Sequence, residues 1–477
     1  MSQLHFPWLE LAILAPILGA ILAAVQKKGE HAMLVATVFS FISLVLAVGE
    51  WIDFINLQTF EAHDHGDFLS WIFNQDIIVV DELSAPLLPM AALGYFVVIL
   101  STLKTKIERF SFGWTLLSEA ILLATISCKN SWILVALFVA AIIPPWIELK
   151  TRQRCTRVYE WHLGLFAVLL VLGYLLISWS SSQSMLHFIG MVLIVGAVLL
   201  RSGIAPVHCW MTDLFEKATF GTAILFVMPL TGILAVLRLV LAIAPEGLLR
   251  SVALFSLFTA FYAAGMATIQ REARRFFCYL FLSNASMVLV GIELVTPVGV
   301  TGSLCVWFSV GLSLAGFGIC LRSVEARIGR VSLADYHGLY DQMPTIAGFF
   351  LLTGLASIGF PGTIGFIAME LLVEGAVDVY PMVGTAIVLA AALNGISILN
   401  AYFRIFAGRR TSFAISLSAR PNERLAVVLL SVLILAGGLF PQSGVISRYH
   451  AAKELQARRD PVNISPTRAP STKKHEE

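Results

Sequence analysis

Five ionisable residues stand in stretches that are otherwise apolar: Glu119, Arg201, His208, Glu370 and Glu374. A charge near the centre of a bilayer costs at least about 2.5–3.5 kcal/mol, so such residues pair, line a watery path or carry protons. A carboxylate or an imidazole can take up and release a proton. A guanidinium, with a pKa above about 12, keeps its charge. Arg201 therefore reads as a fixed positive field whose natural partner is an acid. Glu119, in the middle of the run 111–128, is the expected partner. Glu370 and Glu374 are spaced four apart on one helical face, the geometry of a shared aqueous site and equally of an interface to a neighbouring subunit. His208 and Asp213 follow Arg201 in an amphipathic stretch, either as the mouth of a proton path or as hydrogen-bonding groups that fix a loop. Arg238, near the end of the run 219–243, is expected to meet the membrane interface or a neighbouring carboxylate.

Other chemistries lack their signatures. The six cysteines are scattered with no CxxC spacing, which speaks against disulfide frameworks, iron–sulfur clusters and zinc sites. There is no Walker motif, no GxGxxG before a helix and no haem-attachment motif. His63-Asp64-His65 carries too few ligands on too loose a scaffold for a metal. We expect no cofactor, no metal and no nucleic-acid partner.

The elements that hold these residues follow from composition. Of 477 residues, 58% are hydrophobic and 13% charged. A soluble domain has about 25% charged residues, so the solvent for most of this chain is lipid. Apolar runs recur near 8–25, 32–51, 84–103, 111–128, 131–149, 161–178, 186–205, 219–243, 249–269, 276–296, 301–322, 344–373, 381–404 and 424–441. They predict an all-α polytopic membrane protein of about fourteen transmembrane helices. The first run is followed by Gln26-Lys27-Lys28 with no small-residue cleavage site, and reads as a retained span. One set of loops is basic (Lys27/Lys28; Lys104/Lys106/Arg109; Lys150/Arg152/Arg154/Arg157; Arg271/Arg274/Arg275; Arg322/Arg327/Arg330; Arg404/Arg409/Arg410/Arg420) and the other is nearly free of Lys and Arg. The longest of the second set, 52–83, carries Asp53, Glu61, Asp64, Asp67, Asp76, Asp81 and Glu82. The positive-inside rule makes the basic set cytoplasmic and puts both ends of the chain outside. The basic stretch 452–477, rich in Pro and Ser, reads as a disordered tail.

Two spans are interrupted, one at Pro206 and one at Pro361-Gly362, about 155 residues apart. Breaks at matching places in two blocks point to a transport path between internal repeats. The expected division is 1–110 for the N-terminal helices, 111–243 and 249–410 for two inverted five-helix repeats, and 411–451 for the last span.

At 201–213 the sequence Arg-Ser-Gly-Ile-Ala-Pro-Val-His-Cys-Trp-Met-Thr-Asp resembles the Lys-x-x-x-x-Pro-x-His-x-Trp-Leu-Pro-Asp stretch of the antiporter-like subunits of complex I. That family also includes the large subunits of Mrp-type cation/proton antiporters. Val80-Asp81-Glu82-Leu83-Ser84-Ala85-Pro86, Gln270–Arg275, Leu333–Leu339 and Ala356–Gly362 are similar to further segments of it, in order, over roughly 80–410. The size fits the M or N type. The resemblance implies a membrane subunit of a proton-translocating NADH/quinone oxidoreductase assembly in a cell inner membrane, with other membrane subunits as partners and protons or Na+ as cargo. It implies that redox centres belong to those partners. An Mrp-like antiporter subunit, or a subunit of an inorganic-carbon or other ion-coupled uptake complex, is the alternative.

The family's relay of buried Lys, Glu and His is incomplete here. Its fifth-span glutamate falls on Val139, its seventh-span lysine on Arg201, its middle histidines near Asn284 and Val310, and a lysine of some relatives on Met369. The eighth-span lysine has no counterpart; Thr231 is nearest. The remaining set is Glu119, Arg201, His208, Glu370 and Glu374, supported by Asp213, Arg238, Arg274 and Arg275. Such a set either still lines a proton path or belongs to a subunit that has become structural.

Overall fold

A long apolar run in lipid satisfies its own backbone by coiling, and lipid offers no other partner for its N–H and C=O groups. The chain does so from end to end. The computed structural model describes residues 2–65, 77–103, 107–108, 110–181, 184–294, 296–408 and 417–459. Lys104, Lys106, Arg109, Asp67, Asp76, Arg409, Arg410 and the segment 460–477 lie outside them.

The helices in order are α1 (Trp8–Val25), α2 (Gly29–Leu57), α3 (Leu87–Leu100), α4 (Phe112–Ser127), α5 (Ser131–Ala140), α6 (Ile143–Thr151), α7 (Arg157–Trp179), α8 (Met185–Arg201), α9 (Cys209–Lys217), α10 (Phe220–Val227) and α11 (Thr231–Ala235, continued by a π turn to Val240). There follow α12 (Glu246–Ile269), α13 (Ala273–Glu293), α14 (Pro297–Ile328), α15 (Pro344–Ala356), α16 (Ile364–Val379), α17 (Pro381–Phe406), α18 (Pro421–Leu439) and α19 (Gln442–Arg459). Among the described residues, ten helical stretches are long and apolar enough to cross a membrane, and four further apolar helices are shorter. Starts are set by local chemistry. Asn130 Oδ1 accepts from the N–H groups of Trp132 and Ile133, and Thr296 Oγ1 accepts from that of Gly299. Proline opens α14, α15, α17 and α18, where its missing N–H costs nothing.

α13 and α14 are enclosed by protein, whereas α2 and α7 turn most of their apolar surface outward. Small residues bring neighbours close. A Cβ on Gly173 of α7 would come within 2.9 Å of the Gly190 carbonyl on α8, so these two helices touch backbone to backbone.

Charged loops knit each face of the bundle. On the basic side, Arg274 forks onto Glu325 (2.7 and 2.5 Å) and donates to the carbonyls of Phe215 and Ala218, fastening α9 to α13 and α14. Arg322 caps the end of α3 through the Val98 carbonyl (2.9 Å) and Thr102 (2.9 Å). On the other side a small sheet forms, which the all-helical reading did not include. β1 (Ser2–Gln3) pairs parallel with β2 (Glu61–His63), which pairs antiparallel with β3 (Val80–Asp81). From α19, Arg448 donates to the carbonyls of Leu83 (3.2 Å) and Glu82. Residues 2–3 and the helix 442–459 therefore lie on the side of the acidic loop.

One sequence expectation is corrected here. The stretch from 452 is not all tail: α19 continues to Arg459, and Ala451, Ala452 and Leu455 are buried. Its charges (Lys453, Glu454) misled because they alternate with this apolar face.

The face of the acidic loop turns on one ion pair. Arg238 meets Asp81 through two contacts, 2.6 and 3.0 Å, and Ser84 adds its N–H and hydroxyl at 2.9 and 2.8 Å. Burial pushes the Asp81 carboxyl up, but Arg238 and Ser84 outweigh it and bring it from 3.8 down to about 2. The pair's stabilisation is thus complete above the unfolded value of 3.8 and is lost as pH falls through about 2. Removing one partner of a buried pair strands the other charge, at about 3–5 kcal/mol. Asp81→Asn is expected to lower detergent-solubilised stability by that order in thermal unfolding, and Asp81→Asn with Arg238→Gln to restore part of it.

Candidate functional site

The centre of the first half is organised by Pro229. Proline has no N–H, so the helix begun at Phe220 stops at Val227, and Leu230 enters the left-handed region at φ 51°. The Leu230 N–H turns to the Val227 carbonyl, which leaves the Phe226 carbonyl unpaired. Arg201, the last residue of α8, reaches across and donates Nη2 to it at 3.2 Å. Its guanidinium lies over the Phe226 ring, 4.0 Å from the centroid, and 5.6 Å from that of Trp210. Trp210 in turn donates its indole N–H to the Leu200 carbonyl at 2.9 Å. The cation thus sits at the carboxyl ends of two helices, where the aligned backbone dipoles are negative.

This overturns the expected Glu119–Arg201 contact. Glu119 is fully buried on α4 and faces α2, where the Ser40 hydroxyl donates to Oε1 at 3.1 Å. No cation pairs with it among the described residues. Tyr95, hydrogen-bonded to Ser118 at 2.7 Å, is close enough to bear on both charges. The helix break supplies Arg201 with the negative partner that an acid would otherwise have to provide.

The break itself matches the sequence reading. α8 ends at Arg201, Pro206 stands in the turn, and α9 begins at Cys209. His208 is buried with its ring 5.5 Å from Tyr262 and 5.8 Å from Tyr279. Asp213 pairs with Lys217 at 2.6 Å, and Lys217 also donates to the Cys155 carbonyl. Arg274 and Arg275 hold α9 in place, Arg275 through Glu216 at 2.7 Å. Asp213, Arg274 and Arg275 therefore fasten the loop, and Arg238 belongs to the opposite face with Asp81.

The second break falls between α15 and α16, with Pro361 and Gly362 exposed and Gly362 at φ 83°. Glu370 and Glu374 share one face of α16, and that face is exposed rather than turned into the bundle. Where α12, α13 and α17 meet, the interior holds neutral hydrogen bonds instead. Asn394 donates to the Ser283 hydroxyl at 2.9 Å, and Ser283 to the Ala260 carbonyl at 2.8 Å. Asn284 is spent on the Leu280 carbonyl, while Val310 and Met369 are buried and apolar.

Four buried carboxylates escaped the sequence reading: Glu50, Glu148, Glu293 and Glu423. Glu148 on α6 accepts from the Thr219 N–H at 2.8 Å and from the Thr222 hydroxyl, with Arg152 at 3.4 Å. Glu50 is fully buried on α2. The signal for Glu148 was its place directly after Pro144-Pro145-Trp146-Ile147, where the fifth span is broken between α5 and α6.

A family model described as NADH:quinone oxidoreductase/Mrp antiporter, transmembrane, matches residues 163–394. NADH-quinone oxidoreductase subunit M of Rickettsia prowazekii (strain Madrid E) is 22% identical, over 95% of this chain and 99% of the relative. Among solved structures, a chain of the Mrp complex from Dietzia sp. DQ12-45-1b superposes with a TM-score of 0.80 at 17% identity, covering 95% of this chain and 97% of that one. A chain of respiratory complex I from Thermus thermophilus with bound NADH gives 0.79 at 21% identity, covering 94% and 99%. At these identities the structures establish the fold. Both belong to multisubunit membrane complexes.

Because the two charges have separate partners, a double-mutant cycle of Glu119→Gln and Arg201→Gln in detergent unfolding should couple by no more than about 0.5 kcal/mol. Exchanging the charges between the two positions is expected not to rescue assembly. A coupling well above that value would restore the direct pair.

Proposed function

We propose, from the premise that this chain belongs to the NADH:quinone oxidoreductase/Mrp antiporter transmembrane family, that it is a membrane subunit of a proton-translocating assembly of the NADH:quinone oxidoreductase type. The assembly sits in a bacterial inner membrane, and its other subunits supply the redox centres. In this reading the chain has fourteen spans, with 111–243 and 249–410 as inverted repeats.

The observation that carries a proton-handling role is Glu119. It is fully buried in mid-helix, held by a hydroxyl rather than a cation, and so can exist with or without its proton. Arg201 does not carry protons. Its fixed charge sets the field in which Glu119 and Tyr95 work. The work is divided unevenly between the repeats. The first retains ionisable groups, and the second, with Asn284, Asn394, Val310 and Met369 inside, has become a scaffold. Glu370 and Glu374 face outward from that scaffold toward a neighbouring subunit. His208 stands at the cytoplasmic mouth.

The superposition on an Mrp chain favours a second reading, an Mrp-like cation/proton antiporter subunit. Partners separate the two. Isolated from native membranes in mild detergent, the full chain is expected to bring quinone-oxidoreductase subunits with it; antiporter subunits alone would establish the second reading. In vesicles of those membranes, Glu119→Gln is expected to lower proton translocation by at least about tenfold, against the roughly hundredfold or more that one positioned proton-transfer group contributes to a rate. Wild-type translocation in a normally assembled Glu119→Gln complex would refute the role of Glu119.

A further inference from the structure

The buried face of α2 presents Ala36, Ser40, Ser43, Ala47, Glu50 and Phe54, a helical stripe packed against α1, α3 and α4. Its lipid side is apolar, with Val38, Phe41, Val45 and Ile52 exposed. Glu50 is the anomaly on the inner stripe. It is 0% exposed, and neither of its carboxyl oxygens has a hydrogen-bond partner among the described residues. The charged groups that bear on it are all acids: Asp64, Asp53 and Asp81. Each of those is already compensated. Asp81 has Arg238, Asp64 accepts the N–H groups of Leu9 (3.2 Å) and Glu10 (2.8 Å), and Asp53 accepts from His5 and Trp8. A buried carboxyl with no cation and no donor does nothing for packing that an apolar residue would not do better.

Resting on the proton-translocation reading, we propose that the inner face of α2 is an outward proton exit running from Glu119 through Ser40 and Ser43 to Glu50, and on to Asp53 and His5. Ser40 already donates to Glu119. Ser43, one turn on, faces the same carboxyl and donates to the Ala12 carbonyl at 2.9 Å. Seven residues, about 10 Å of helix, separate Ser43 from Glu50. Ala47 and Ala12 are the small side chains along that interval, and the exit requires two or three waters at about 2.8 Å spacing to cross it. Asp53 lies three residues beyond Glu50 on the same side of the helix. Its Oδ1 is 2.7 Å from His5 Nδ1, and the His5 side chain is 76% exposed. The proton leaves Glu119, crosses the hydroxyls and water to Glu50, and passes by Asp53 to the imidazole and outer water. Glu119 is then reloaded from the basic side, where a small cavity joins Ser118 and Tyr95 to Thr115, Thr222 and Glu148. One proton enters, one leaves, and no residue changes its charge over the cycle.

The test uses the full complex in native membrane vesicles, reading protons moved per electron. Glu50→Gln is expected to lower translocation at least about tenfold, and Glu50→Asp to keep it within about threefold of wild type. Ala47→Leu, which fills the interval without touching a titratable group, is expected to lower it as Glu50→Gln does. Wild-type translocation in Glu50→Gln and Ala47→Leu, beside a loss in Glu119→Gln, overturns this exit while leaving the proposed function standing. Wild-type translocation in all four overturns both. Should Glu50→Gln not assemble, infrared difference spectra of turning-over wild type and Glu50→Asp decide. A carboxylic C=O band that moves between the two supports the exit, and the absence of such a band overturns it.

Discussion

The interior of this bundle depends on a backbone carbonyl that has lost its donor. Pro229 stops α10, the Phe226 carbonyl is left open, and Arg201 fills it. A guanidinium is the group best suited to the task. It presents several donors in a plane, stacks on the Phe226 ring, and cannot escape by losing its proton. An ammonium would hold the same charge but would surrender it more readily on burial. Arginine at this position is therefore a structural charge rather than a movable one, and it ties α8 to α10. The Trp210–Leu200 hydrogen bond closes the same knot from the other side.

Much of the architecture was legible in the chain. The apolar runs translate into helices almost one for one, because lipid leaves the backbone no alternative. Both expected breaks occur where Gly and Pro stand together. Proline alone was not enough: membrane helices tolerate it, and nothing local tells whether a neighbouring side chain repairs the freed carbonyl. That is why the breaks near Pro144 and Pro229 were missed, and with the second of them the true partner of Arg201. The Asp81–Arg238 pair joins residues 157 positions apart, and no periodicity encodes such a contact. The strands of two or three residues are too short to show alternation. Glu50 was hidden for another reason. It sits at the end of the run 32–51, where a charge reads as the membrane boundary, yet α2 continues to Leu57 and carries it inside.

The two halves of the molecule differ in the polar groups they bury. Around Glu119 the polar groups are the hydroxyls of Ser40, Ser118 and Tyr95. Around Asn394 they are an amide and hydroxyls spent on one another and on carbonyls. Such a core holds shape by satisfied hydrogen bonds, and it has no charge to relocate. The clamps on the basic side are heavily built. Arg274 spans α9, α13 and α14, and Arg327 joins α14 to α18 through Glu423 at 2.9 and 2.5 Å. Arg274 ties the first half to the second, and Arg327 ties the second to α18.

The small outer sheet sets an order on biogenesis. β1 cannot find β2 until some sixty residues have followed it, and β3 completes the sheet only as α3 is being made. Arg448 then binds the carbonyls next to β3 from a position 365 residues downstream. Contacts of such separation form late, because the chain must close a long loop before they return anything. The first two helices thus stand in the bilayer with an unsealed outer end through most of synthesis. Until α19 arrives that end lacks the contacts of Arg448, and α19 is its lock.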